Sequence, residues 1–275
     1  MTGDIRVPFP TTPDDHEFHE HPPDFSLVLG GPLYQLLRRA HLSNDTMAML
    51  YRRIIVLALI CWSPLLVLST LQGQLLGGKS TVPFLMDVEV HVRFLVVVPL
   101  LVAAELVVHR RMRPLVAQFL ERDLIPDEDL PRFKSAITSA ARLRNSPMAE
   151  ILMIVAVYAV GSLVIWRQYT ALDMTTWYSV RSDGDWSLSP AGIWFVLVSL
   201  PLFQFLLVRW YFRILVWARF LWQVSRIDLR LVPTHPDRAG GLGFLSAVVY
   251  AYVPLLVAHG AMLAGLYAQR IFYVG

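Results

Sequence analysis

The sequence predicts an all-α, polytopic transmembrane helix bundle with about five spanning helices and amphipathic helices on the cytoplasmic side. Three observations lead there. Of 275 residues, 55% are hydrophobic and 16% are charged, and the mean hydropathy is +0.50, far too apolar for an ordinary soluble domain. Five apolar stretches approach the length that crosses a bilayer core. The Lys and Arg residues of the six segments around them number 5, 2, 8, 2, 6 and 1 in chain order. Basic loops stay in the cytoplasm, so this alternation places the N-terminus inside and the residues after the fifth span outside.

Residues 1–24 are proline-rich and acidic, without apolar periodicity, and read as a disordered cytoplasmic tail. They lack the basic start and apolar run of a cleaved signal peptide. Residues 25–275 form the transmembrane domain. Leu33, Leu36, Leu37 and Ala40 recur at helical spacing and predict an interfacial helix leading to the first span, 54–75. The second span covers 92–108, with 87–91 continuing it outward. A cytoplasmic helical segment, 110–147, follows. Within it Asp127, Glu128 and Asp129 precede Pro131, a helix start, and Leu130, Phe133, Ile137 and Ala141 line one face. The third span covers 148–166. The fourth, 193–222, is longer than the hydrocarbon core, and Arg209 and Arg213 at its cytoplasmic end are expected to snorkel to the interface. The fifth covers 243–267. Pro64, Pro99, Pro201 and Pro254 lie inside spans and predict kinks. Trp166, Tyr169, Trp177, Tyr178, Trp186 and Trp194 are expected at the outer interface, and Trp210, Tyr211, Trp217 and Trp222 at the inner one.

Candidate functional residues fall into a few groups. Glu105 is the one acidic residue well inside a span, so it must face the bundle and find a partner. Arg142, Arg144, Arg209, Arg213 and Arg238 lie at its level. The stretch from Thr234 to Gly243 contains His235, Asp237, Arg238 and three glycines just before the fifth span. It reads either as an anion-binding turn or as a tight turn capped by Asp237 or Thr234. Toward the outside, Asp87, Glu89, His91 and Arg93 alternate with valines; in a helix Asp87 stacks on His91 and Glu89 on Arg93. The tract His16, Glu17, His19, Glu20 and His21 has metal-binding residue types without fixed geometry, and His259 in the fifth span suits an interhelical hydrogen bond. No nucleophile, paired-carboxylate or metal-ligand pattern appears, so neither an enzyme nor a metal or cofactor is expected. The single Cys61 excludes an intrachain disulfide. The basic residues sit beside apolar stretches, so the partner is the lipid bilayer rather than nucleic acid, and a homo-oligomer is compatible with this plan.

Three segments together, Val92–Glu105, Arg142–Ser146 and His235–Leu245, resemble a family of uncharacterised bacterial multi-pass inner-membrane proteins. The resemblance covers most of the chain after Asp24. It implies an inner-membrane location and a chain that continues past the fifth span, so that this sequence would be part of a longer product. Polar residues converging at the inner mouth favour a channel- or transporter-like role. The alternative is a membrane-anchored sensor or assembly factor whose 235–243 turn binds a cytoplasmic partner or an anionic ligand.

Overall fold

A computed structural model describes residues 26–28, 50–77, 81–171, 176–182 and 185–273, with side chains omitted for 162–171 and 180–186. The expected tail, the His16 to His21 tract and most of the expected interfacial helix lie outside the described residues. The fold is an all-α bundle. Helix α1 spans Leu50–Leu71, α2 Val88–Glu121, α3 Leu130–Arg144, α4 Pro147–Ala171, α5 Pro190–Val224 and α6 Leu242–Tyr273. Between α4 and α5 a two-stranded hairpin, β1 (Ser179–Ser182) and β2 (Asp185–Leu188), pairs antiparallel with Ser179 opposite Leu188. The hairpin was not anticipated from the sequence. For orientation we call the end carrying Asp87 and the strands the hairpin end, and the end carrying Glu105 the basic end.

Among the described residues four helices, α1, α2, α5 and α6, are long and apolar enough to cross a membrane; a fifth span is added if Asp127–Arg144 and Pro147–Gly161, bent by 44°, count as one. The outer surfaces agree with a lipid environment. Ile55, Leu59 and Val67 of α1, Ile151, Leu152 and Val155 of α4, and Leu256, Val257 and Leu263 of α6 are all exposed. In water, so much contiguous apolar surface would drive association; in hydrocarbon it costs nothing. These features fit an integral membrane protein.

Helices α2 and α5 form the centre. Helix α1 packs on both, α3 and α4 pack on α5, and α6 packs on α2. Helix α2 begins where Asp87 caps it, its carboxylate accepting the Val90 N–H at 3.1 Å. It runs on to Glu121, so the helix of the expected second span, 92–108, continues into residues 110–121 of the expected cytoplasmic helical segment. The chain then turns through Asp123, at φ 51°, and a short 3₁₀ turn at Asp127–Asp129 leads into α3. Phe133, Ala136, Ile137 and Ala140 bury the apolar face of α3.

The prolines explain the shape of the long helices. In α2 the turn Arg93–Val97 is π-helical, closed by the Val98 N–H donating to Arg93 O, and Pro99 follows. In α5 the turn Phe195–Ser199 is π-helical, closed by the Leu200 N–H donating to Phe195 O, and Pro201 follows. Pro99 and Pro201 lack the N–H that would reach back four residues, and their rings press on that carbonyl; a widened turn moves it aside. Two of the carbonyls freed by proline find partners on other helices. Trp194 Nε1 donates to Ile60 O, four residues before Pro64, at 3.2 Å. Tyr158 Oη donates to Leu197 O, four residues before Pro201, at 3.1 Å. Each bond replaces what the proline removed and ties two helices together.

The aromatic residues expected at the interfaces differ in burial. Trp177 is completely buried, because the loop before β1 folds into the bundle mouth and sets its ring edge-on to Phe84 and Phe195. Trp210 and Trp217 are buried in the core as well, whereas Tyr211 and Trp222 are exposed. The side chains of Trp166, Tyr169 and Trp186 lie outside the described residues.

Candidate functional site

Two polar sites lie inside the bundle. At the basic end, Glu105 is 3% exposed, set in α2 by the helical rise from Pro99. Its Oε2 accepts from Arg53 Nη2 at 2.6 Å, and its Oε1 lies 2.9 Å from Arg213 Nη2 and 3.7 Å from Arg209 Nη1. Arg53 comes from the first turn of α1, and Arg209 and Arg213 from successive turns of α5, so one carboxylate joins three helices. Arg209 and Arg213 are buried, which corrects the snorkelling expectation: they share the face of α5 that meets α2, not lipid or solvent. Around them, Trp210 Nε1 donates to Leu101 O at 3.0 Å, and the Arg213 guanidinium lies 4.8 Å from the Trp210 ring centre.

Of the partners expected for Glu105, Arg209 and Arg213 are found there, and Arg142, Arg144 and Arg238 are not. Arg144 instead donates to Ser26 O and, at 3.0 Å, to Asn145 Oδ1. Ser26 Oγ in turn lies 2.8 Å from His109 Nδ1. Arg53 escaped sequence reasoning because it counted only as a flanking charge; its position just before the first apolar run was the available signal.

At the hairpin end a cavity of about 190 Å³ is lined by Asp87, Glu89, Arg93, Tyr178, Phe203 and Gln204, among others. Glu89 and Arg93 pair along α2 as the spacing predicted, and the Arg93 guanidinium stands 5.5 Å from the Phe203 ring centre. Asp87 does not pair with the His91 imidazole through its carboxylate. Trp177 Nε1 donates to Asp87 Oδ2 at 2.8 Å, while His91 Nδ1 bonds the backbone oxygen of Asp87 at 2.8 Å. The His91 ring turns away among Trp62 and Phe84. Gln204 Oε1 and Arg93 Nε are buried without a hydrogen-bond partner among the described residues, and Gln204 Oε1 faces Gly161 of α4. Gln204 carried no sequence signal, because a polar residue in an apolar run does not declare its neighbours, and Tyr178 was legible only as an interfacial aromatic.

The 235–243 turn is a closed structure of its own. Asp237 Oδ1 accepts the Ala239 and Gly241 N–H groups at 2.9 and 3.1 Å, and Oδ2 accepts the Gly243 N–H at 2.7 Å. His235 Nδ1 is 2.8 Å from Oδ1. What desolvation Asp237 suffers would raise its pKa, but the Ala239, Gly243 and Gly241 N–H groups, with His235, outweigh it and hold the carboxyl well below the usual carboxylate range. Gly240 and Gly241, at φ 66° and 102°, supply the backbone conformation this wrapping needs. An external anion at the turn would have to displace Asp237. His259 Nε2 lies 2.6 Å from Tyr211 Oη, joining α6 to α5. Among the described residues no three His, Cys, Asp or Glu side chains gather to hold a metal ion.

Comparison of the chain with family models, with curated proteins and with solved structures finds no match.

Proposed function

We propose that the protein is a channel- or transporter-like component of a bacterial inner membrane, oriented with its N-terminus and basic end in the cytoplasm by the excess of Lys and Arg there. The single observation that carries this reading is the polar cavity of about 190 Å³ between membrane helices. Ionisable side chains are costly between membrane helices, and Asp87, Glu89 and Arg93 lining one cavity there support a solute or ion path. Leu101 and Leu206, which follow the cavity-lining residues along α2 and α5, are buried, and the Glu105 network joins the same two helices further along. The π-helical turns adjoin the cavity, where α2 and α5 would flex.

The test is flux into proteoliposomes holding the purified chain, across a panel of small ions and polar solutes, compared with Gln204→Trp, which fills the cavity. The expected result is flux of at least one solute above protein-free vesicles, lost in the variant. Background flux for every solute, or equal flux in both proteins, would overturn the reading.

A further inference from the structure

We infer that the outward face of α5 at the basic end binds an anionic glycerophospholipid, its phosphate held by Arg219 and Arg226 beside Trp222. Tyr211, Leu215, Arg219, Trp222 and Arg226 follow one another at steps of three or four residues, so they form one stripe along the helix. All five are exposed, Leu215 by 56% and Trp222 by 59%. The other face of the same turns, Val216, Trp217, Phe220 and Val224, is buried in the bundle. Arg209 and Arg213 are buried as well, so Arg219 and Arg226 are the arginines that this half of α5 turns outward.

The stripe changes character along its length. Tyr211 and Leu215 belong to the apolar outer surface. Arg219 comes one turn later, about 6 Å along the axis from Leu215, and Trp222 about 10 Å from it. Side chains on a helix lean back toward its N-terminus, which here is toward the apolar surface. Both therefore reach the interfacial layer, roughly 5–8 Å deep on each side of the hydrocarbon core. Arg226 lies a turn further on, but its guanidinium carbon is 5.0 Å from the Trp222 ring centre, which brings the cation back to the level of the indole. That contact holds the guanidinium in place and leaves its N–H edge free to donate to a phosphate. Among the described residues neither Arg219 nor Arg226 has a carboxylate partner, whereas Arg230 pairs with Asp123 at 2.9 Å.

The order of chemistry along the stripe fixes the kind of ligand. A phospholipid presents acyl chains to Tyr211 and Leu215 and then a phosphate to the arginines. A soluble phosphate would leave Leu215 and the Trp222 ring uncovered. A zwitterionic lipid would bring an ammonium group beside two guanidinium groups, so an anionic headgroup is preferred. This site stands apart from the transport reading, since it lies on the outer surface of α5 and a lipid held there needs no solute path.

The experiment follows thermal unfolding of the full chain in a neutral detergent, titrated with phosphatidylglycerol, with phosphatidylcholine of the same acyl chains, or with soluble glycerol 3-phosphate. Phosphatidylglycerol is expected to raise the midpoint saturably, and the other two not to. Arg219→Gln and Arg226→Gln should each weaken the apparent phosphatidylglycerol affinity roughly fivefold, as loss of one basic residue near an anionic surface does. Trp222→Ala, which frees the Arg226 guanidinium, should weaken it too. Arg132→Gln, at a cation of α3 that is 70% exposed and off the stripe, should leave it unchanged. Equal stabilisation by phosphatidylcholine or by glycerol 3-phosphate, an equal loss in Arg132→Gln, or unchanged affinity in both stripe variants would overturn the proposal. Flux measurements play no part in this outcome.

Discussion

Arg53 Nη2 donates to Glu105 Oε2 at 2.6 Å, joining the first turn of α1 to the middle of α2 inside the bundle. Among the described residues Glu105 is the carboxylate that Arg53, Arg209 and Arg213 share, so the network is asymmetric. Glu105→Gln leaves three guanidinium groups facing one another and should destabilise by about 3–5 kcal/mol, the usual cost of breaking a buried pair from one side. Arg53→Met leaves Glu105 with two cations and should cost less. Unfolding of both variants in the same detergent measures the difference; an equal loss, or a larger one for Arg53→Met, would mean the three arginines do not share one counter-charge.

Asp237 gives a pH prediction with a definite sign. Its carboxyl is depressed below the ordinary value of 3.8, so its stabilisation of the turn is fully present above that value and is lost as pH falls through the lower folded-state value. Hydrogen exchange at the Gly241 and Gly243 amides should therefore stay slow down to pH values where free carboxylates are protonated. Asp237→Asn should speed their exchange at neutral pH and remove the acid dependence. Unchanged protection in the variant would show that the turn holds without its carboxylate.

A methyl group at Gly192 would lie 2.1 Å from the backbone oxygen of Tyr178. Backbone cannot yield as a flexible side chain does, so Gly192→Ala should push the hairpin loop off the start of α5 at a cost of about 1–3 kcal/mol or more. Faster hydrogen exchange at the Trp177 and Ser179 amides, which bond Val82 O and Thr176 O, checks this. Gly73→Ala, with no atom within 4 Å of the added carbon but a positive φ, should leave the loop in place.

Trp177→Phe keeps the buried ring and removes the N–H that Asp87 accepts. A bond to a carboxylate contributes roughly 1.5–3 kcal/mol. A double-mutant cycle with Asp87→Asn should return a coupling energy of that order; additivity would place the loop's attachment in ring packing alone.

The spans were legible because hydropathy and the proline positions depend only on the chain. What faced what was not. Helix α5 is apolar nearly all round, so its sequence does not say which side meets α2, and Arg209 and Arg213 looked like interfacial cations when they are core residues. The prolines located the faults in α2 and α5 but gave no sign that the adjoining turns would widen. Of the outer cluster, the Glu89–Arg93 pair followed from helical spacing alone, whereas the engagement of Asp87 by Trp177 depends on a loop returning from ninety residues away.

The wide turns of α2 and α5 each hold a residue more than a regular helical turn, and one residue corresponds to about 100° of rotation. Glu89 therefore points where it does, relative to Glu105, because of a single surplus position, and so does Ala191 relative to Arg209. Straightening either rod by a one-residue deletion would swing its far half to a new bearing while leaving the near half untouched. Arg93 and Phe195 open these turns and Pro99 and Pro201 follow them at the same sequence offset, so the chain carries the same mechanical joint twice, in two rods that share a wall of one chamber.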